Sequence, residues 1–292
     1  MLTFWQAFRN SVKKPGGIWM SLGVCLKREM PFKGGVLMSE SKARIIALAG
    51  KGGVGKTSLA ATIVRVLTED RPGSRVLAID ADPAVGLSTA LGVTVTSTLD
   101  DIRRAVVQSA EDGRPREAIE MLNESRFRIF DSMVDTNGFS FLAIGRPENE
   151  GCFCSVNAYL KEVVSMLAND FDYVVIDGEA GVEQIQRRVM EKVSHLILIS
   201  DQSRKGTHVA ETIKDVADEL VMYDRIGAII NRVTNPELNK YIEIKGVEIL
   251  AFIPADEQQA ANDIQGKTVF ELPEDSKVLD GVREALRKIE IL

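Results

Sequence analysis

Residues Gly50–Thr57 read GKGGVGKT and satisfy the spacing G-x-x-x-x-G-K-[ST] in full. These residue types at this spacing suit one task. Glycines let successive backbone N–H groups turn inward around phosphate oxygens, the lysine reaches the terminal phosphates, and the hydroxyl beside it is a ligand for Mg²⁺. The expected binding set is Gly50, Lys51, Gly52, Gly53, Val54, Gly55, Lys56, Thr57 and Ser58, with Lys56 on the β- and γ-phosphates and Thr57 on the ion.

A second stretch, GRPENEGCFCSVN at 145–157, holds two of the three cysteines, Cys152 and Cys154, with one phenylalanine between them. Ser155 is a suitable N-cap for the helix expected after it. Thiols at a helix start have lowered pKa and make better metal ligands and nucleophiles. Two thiolates are half of a tetrahedral site, and a two-fold pair of chains supplies four. Such sulfur sets suit zinc and iron–sulfur clusters, and a square-planar arrangement of four suits Ni²⁺. Taken alone, C-x-C is a weak motif, and a buried, packed cysteine is its ordinary reading.

Three carboxylates stand at strand tips: Asp80 and Asp82 in AIDADPAVG, and Asp177 at the end of YVVID. Beside a phosphate site, such residues orient Mg²⁺ or water. Asp80 either joins the Mg²⁺ shell or caps its strand. DGEAGVE (177–183) carries two glycines that let it change shape, with Glu179 and Glu183 as switch residues or plain solvated charge. A guanine-reading N-K-x-D is absent. Asn231 instead ends IGAIIN, and its amide can both accept from the exocyclic amine of adenine and donate to its ring nitrogen.

The elements that must position these residues follow a regular pattern. Short apolar runs at 44–50, 75–80, 139–145, 173–177, 195–200, 226–231 and 248–253 read as strands. Helical spacing fills 56–70, 156–170 and the C-terminal stretch, with a charged helical region at 98–124 broken near Gly113 and Pro115. Apolar rather than alternating strands, separated by helices, specify an α/β fold: a single P-loop NTPase domain over 41–292, with a mostly parallel twisted sheet covered by helices on both faces. Ligands bind such sheets at the carboxyl ends of the strands.

The net charge of −6 and pI of about 5.2 give no basic face for nucleic acid. An odd cysteine count does not read as a secreted disulfide framework, so a cytoplasmic protein is expected. Residues 1–40 stand apart. Arg9, Lys13, Lys14, Lys27, Arg28 and Lys33 outweigh Glu29, and both tryptophans, Trp5 and Trp19, lie there. Two readings stay open: a basic amphipathic segment that touches a membrane surface, or a disordered or non-native stretch ahead of a start at Met38.

Lys51, directly after the first glycine, makes the loop KGGVGKT, which resembles the deviant Walker A motif of the MinD, ParA and nitrogenase iron-protein superfamily. The resemblance implies a homodimer that binds and hydrolyses ATP to ADP. Lys51 would reach the partner's phosphates, and Lys51, Lys56 and Asp82 would be catalytic, with Asp82 positioning the attacking water. Asp177, and on one reading Asp80, would join Thr57 around Mg²⁺. Asn231 would read adenine, and IPAD (253–256), with Pro254, resembles the loop that flanks the base. GRPENEGCFCSVN, FDYVVIDGEAGVEQIQRR and ISDQSRKG are similar to the CooC-type accessory ATPases, which insert nickel during carbon monoxide dehydrogenase maturation. That resemblance runs from about residue 42 to the C-terminus. It implies that Cys152 and Cys154 hold Ni²⁺, or Zn²⁺, at the dimer interface for a client nickel enzyme such as carbon monoxide dehydrogenase. A MinD- or ParA-like positioning ATPase at a membrane is the rival, and an iron–sulfur reductase a more distant one.

Overall fold

The computed structural model describes residues 43–82, 86–114, 116–117, 124–145, 167, 170–178 and 192–292. The chain divides into Met1–Ser41 and Lys42–Leu292. The first unit, with its expected amphipathic segment, lies outside the described residues, as do Cys152, Cys154, most of the helix expected at 156–170, and residues 179–183 of the expected switch.

The described sheet has eight strands: β1 (Arg44–Gly50), β2 (Val76–Asp80), β3 (Val134–Asp135), β4 (Ser140–Ala143), β5 (Tyr173–Asp177), β6 (Lys192–Ser200), β7 (Met222–Val233) and β8 (Glu248–Pro254). Their order is β3-β4-β2-β5-β1-β6-β7-β8. All neighbours are parallel except β3 with β4. The central strands are apolar because both faces are covered: every residue of VLAID in β2 and YVVID in β5 is buried. After β1 the chain builds outward on one side through β2 and β4, and on the other through β6, β7 and β8. The crevice of such a sheet opens at the carboxyl end of β1, where the direction reverses.

Seven helices are described: α1 (Lys56–Asp70), α2 (Gly86–Leu91), α3 (Leu99–Glu111), α4 (Ser125–Ser132), α5 (Arg204–Leu220), α6 (Glu257–Gln265) and α7 (Lys277–Lys288). One face of the sheet is covered by α1 and α7, whose Leu59, Ile63, Leu67, Val278 and Leu286 are fully buried. The other packs against α3, α4 and α5 through Leu99, Ile129 and Ile213. Buried Arg65 of α1 fastens the first layer. Its guanidinium donates to the carbonyls of Val269 (2.8 Å) and Leu272 (2.7 Å) and to Glu69 (2.7 Å). Arg283 of α7 reaches back to Asp70 (3.1 Å) and Glu69 (3.1 Å) at the end of α1.

Two details differ from the sequence pattern. The run expected at 139–145 is a shorter strand joined by a hairpin to the two-residue edge strand β3. That strand is too short for any periodicity to reveal. β7 extends well before the expected 226–231, because Lys192 and Val193 of β6 offer partners to its first residues, Met222 and Tyr223. The charged region at 98–124 is broken where expected: α3 stops before Gly113, whose φ of 74° only glycine adopts freely, and among the described residues helix is present again at 116–117. No helix among the described residues is long and apolar enough to cross a membrane.

Candidate functional site

The loop between β1 and α1 turns on two left-handed glycines, Gly53 (φ 80°) and Gly55 (φ 94°). Gly55 is the N-cap of α1, and no side chain caps the helix. The amides of its first turn are therefore left for an incoming anion, and the helix end adds partial positive charge. Gly52 and Gly53 are exposed, Val54 is buried, and Gly55, Thr57 and Ser58 are half-buried.

Lys56 is only 7% exposed, and its ammonium donates to the carbonyl of Lys51 at 3.4 Å. Burial lowers its pKa, while the charges of Asp177 and Asp82 pull it back up. Asp177 is fully buried at the tip of β5, and among the described residues neither carboxylate oxygen has a hydrogen-bond partner of good geometry. Burial pushes its pKa up to about 6. The nearby Thr57 hydroxyl and the Lys56 ammonium oppose that rise, and Asp82 adds to it. Thr57 thus lies beside Asp177 without a hydrogen bond of good geometry.

Asp80 is the register partner of Asp177 across β2 and β5. Burial, then the charge of Asp177, pushes its pKa up to about 7. Its oxygens are engaged, accepting from the backbone N–H of Leu87 (2.9 Å) and Asp82 (3.2 Å). It therefore anchors the start of α2 and the turn at Asp82, which fits the strand-cap reading. Asp177 alone of the pair has both oxygens to offer. Asp82 is half-buried, with its charge within reach of both Lys56 and Asp177.

Among the described residues, no group of three or more His, Cys, Asp or Glu side chains could hold a metal ion. Mg²⁺ does not need one, since it keeps several waters and takes the rest of its shell from one or two carboxylates and substrate phosphates. Orphaned Asp177 beside the Thr57 hydroxyl fits that requirement. A divalent cation there would offset the burial of ionised Asp177 and Asp80.

A pH dependence follows. Both carboxyls have folded pKa values above the ordinary 3.8. Their contribution favours the folded state most below about pH 4 and is lost as pH rises through about 6 to 7. We expect Asp177→Asn to raise the melting temperature of nucleotide-free, Mg²⁺-free protein at about pH 8, with the gain closing towards about pH 5. ADP titrations should show that Mg²⁺ no longer tightens binding to this variant. An unchanged melting temperature at both pH values would mean that Asp177 is not held in the desolvated setting described.

Asn231, 4% exposed, donates its Nδ2 to the carbonyl of Val54 at 2.9 Å. One amide hydrogen is thus spent on the phosphate loop, which leaves the other hydrogen and the amide oxygen for a base. Pro254 ends β8 as the register partner of Val233, so it lies on the same sheet edge as Asn231. Asp256 follows and caps α6, accepting from Gln258 (2.8 Å) and Gln259 (3.0 Å).

Lys51, half-exposed, pairs with Asp201 just beyond β6 at 3.6 Å. Asp201 also accepts from the Ser203 amide at 2.9 Å. Sequence reasoning passed over Asp201, although the rule that singled out Asp80 and Asp177, a carboxylate at the tip of an apolar strand, applies to it equally. It also passed over Arg232, whose guanidinium donates to the carbonyl of Gly53 at 2.9 Å. No pattern of residue types marks that arginine, because what distinguishes it is a backbone angle.

Residues 45–269 match the family model described as the CobQ/CobB/MinD/ParA nucleotide binding domain. An uncharacterised ATP-binding protein of Methanocaldococcus jannaschii is 36% identical over 84% of this chain and 98% of its own length. The carbon monoxide dehydrogenase accessory protein CooC of Rhodospirillum rubrum is 29% identical, covering 78% of this chain and 89% of its own. Among solved structures, the septum site-determining protein MinD of Pyrococcus horikoshii, complexed with Mg-ADP, superposes with a TM-score of 0.62 at 22% identity. That alignment covers 85% of this chain and 96% of the other.

Proposed function

Because this chain belongs to the CobQ/CobB/MinD/ParA nucleotide-binding domain family, we propose that it is an ATP-hydrolysing switch. In this reading it carries Ni²⁺, or Zn²⁺, between two copies of itself and delivers it to a nickel enzyme such as carbon monoxide dehydrogenase. The observation that carries the nucleotide half is orphaned, buried Asp177 beside Thr57 and the Lys56 ammonium, at the mouth of an uncapped helix. The cargo half is supported by the C-x-C pair and by the CooC relative.

Each residue then has a task. The amides of Gly50–Thr57 and the first turn of α1, with Ser58, cradle the phosphates, and Lys56 neutralises the terminal ones. Thr57 and Asp177 hold Mg²⁺, which screens the phosphate charge, and Asp80 supports them from behind. Asp82 orients the attacking water. Asn231 and Pro254 receive adenine. In the dimer Lys51 leaves Asp201 for the partner's phosphates. Cys152 and Cys154 from each copy hold the cargo ion, and the chain from that pair leads to β5 and Asp177. Nucleotide state can thereby alter thiolate spacing, and linkage requires that the ion alter nucleotide affinity in return.

Anaerobic metal analysis with and without ATP tests the cargo half. Wild type should load about one ion per two chains, as expected for a shared four-thiolate site. Cys152→Ser/Cys154→Ser should load almost none while still hydrolysing ATP. A full equivalent per chain on a protein that stays monomeric with every nucleotide would overturn the shared site. In the alternative, a positioning ATPase at a membrane surface, the cysteine pair has no task. The double variant would then keep its activity, and vesicle binding would depend on residues 1–40.

A further inference from the structure

Asn231 and Arg232 are consecutive residues at the tip of β7, and they hold two consecutive carbonyls of the phosphate loop. Asn231 Nδ2 donates to Val54 O and Arg232 Nη1 to Gly53 O, each at 2.9 Å. We propose that Arg232 is a positioning residue for phosphate binding: with Asn231 it fixes two loop peptides so that their N–H groups face the cradle. This rests on the reading of residues 50–57 as a phosphate site.

The reasoning is geometric. In a trans peptide the C=O and N–H of one unit point in opposite directions. Gly53 O shares its unit with the Val54 N–H, and Val54 O shares its unit with the Gly55 N–H. A donor that pins each carbonyl on one side therefore turns each amide to the other. Without such pins, a loop with three glycines between Lys51 and Lys56 would populate many peptide orientations and lose entropy on binding. The bond from Arg232 is also charge-assisted, and it polarises the unit whose N–H it orients.

The backbone of Arg232 supports a dedicated role. Its φ is 56°, in the left-handed region that a bulky residue rarely adopts. Glycine would adopt that angle freely, so the arginine side chain must return something. The turn is held from several sides. The Ala255 amide donates to Val233 O at 3.0 Å. Gln202 Oε1 accepts from the Thr234 amide at 2.8 Å and the Asn235 amide at 3.3 Å. The β7–β8 register breaks between Ile230 and Val233, which aims Arg232 back over the loop. Space is already committed there, since a Cβ on Gly55 would lie 2.6 Å from Asn231 Nδ2 and 3.8 Å from Arg232 Nε. Among the described residues no carboxylate forms a salt bridge with Arg232.

Calorimetric titration of the full chain with Mg-ADP and with AMP tests this, using wild type, Arg232→Ala, Arg232→Gly and Arg232→Lys. The alanine and glycine variants should each bind Mg-ADP about 10- to 150-fold more weakly, the range expected for one charge-assisted bond. Lysine, which can still donate once, should recover part of the loss. AMP affinity should change little, because the effect acts through the amides that meet the outer phosphates. Arg232→Gly should melt above Arg232→Ala, because only glycine relieves the left-handed angle. Wild-type affinity in both the alanine and glycine variants overturns the proposal, as does full recovery in the glycine variant alone, which would make the effect one of backbone strain. Equal losses for AMP and ADP also overturn it, because the arginine would then act on the nucleoside directly. A wild type that binds no nucleotide defeats the phosphate-site reading itself and is distinguishable from all of these.

Discussion

Lys56→Ala should weaken Mg-ATP binding by at least about 100-fold while leaving a folded chain, the effect expected for deleting a desolvated cation from a polyphosphate site. The cation is already in place before nucleotide arrives. It is 7% exposed and rests on the Lys51 carbonyl, with Asp177 and Asp82 near enough to raise its pKa against the effect of burial. Little reorganisation is then needed at binding. The same setting explains why the fold should survive. The variant removes a buried charge whose desolvation was only partly offset, and Asp177 can respond by taking up a proton, its pKa moving further above about 6. Fluorescent-nucleotide titration and a thermal melt together check this. Binding within about threefold of wild type would remove Lys56 from the phosphates. A collapse in melting temperature would instead make it a structural cation. Lys51 offers the contrast: half-exposed and paired with Asp201 at 3.6 Å, it should affect binding to a single chain far less than Lys56 does.

Much of this site was legible because its signals are local. GKGGVGKT between an apolar strand and a helix specifies a loop, a helix start and a ligand class within eight residues. Aspartates at the ends of VLAID and YVVID are equally local, since an apolar run fixes the strand and its last residue fixes the edge. What the sequence could not separate was the division of labour between Asp80 and Asp177. Both end central strands and both are buried, but only the three-dimensional turn places the Leu87 and Asp82 amides on Asp80 and leaves Asp177 without a well-formed hydrogen bond. Asn231 was singled out by position as an expected base reader, yet the bond it makes to Val54 spans 177 residues of chain and has no local trace. Arg232 is the extreme case. Its contact with Gly53 depends on a left-handed angle that no propensity assigns to arginine, imposed by Gln202 and by the neighbouring strand β8. The short edge strand β3 and the beginning of β7 were missed for a related reason: both are strands because a partner backbone is available, not because their own residues favour it.

Gly50→Ala should be the most damaging single methyl group in this part of the chain, destabilising the protein by more than about 4 kcal/mol or preventing folding altogether. Gly50 opens the phosphate motif, and the usual account of such a glycine is access to phosphate. Its surroundings give a different reason. Gly50 is the last residue of β1 and pairs with Ile199 of β6. A Cβ at Gly50 would overlap the Ile199 carbonyl oxygen and lie 3.1 Å from the carbon that bears it. That oxygen belongs to the backbone of a strand hydrogen-bonded on both sides, to β1 and to β7, so no side-chain rotation can make room. Relief requires that two central strands separate where the sheet is fully buried. Gly53→Ala is the internal control. It has the same composition change, a φ of 80° and open space around the added methyl, so it should cost only the backbone strain of about 1–2 kcal/mol. Chemical denaturation of the two variants without nucleotide separates the causes. If Gly50→Ala were as stable as Gly53→Ala and differed from it only in nucleotide affinity, Gly50 would serve the phosphate alone. The close approach of β1 to Ile199 would then not be what requires a glycine there. The expected order, Gly50→Ala far below Gly53→Ala, makes the first glycine of the motif a requirement of the sheet, from which the loop departs at a place where the backbone of the next strand leaves no room for a side chain.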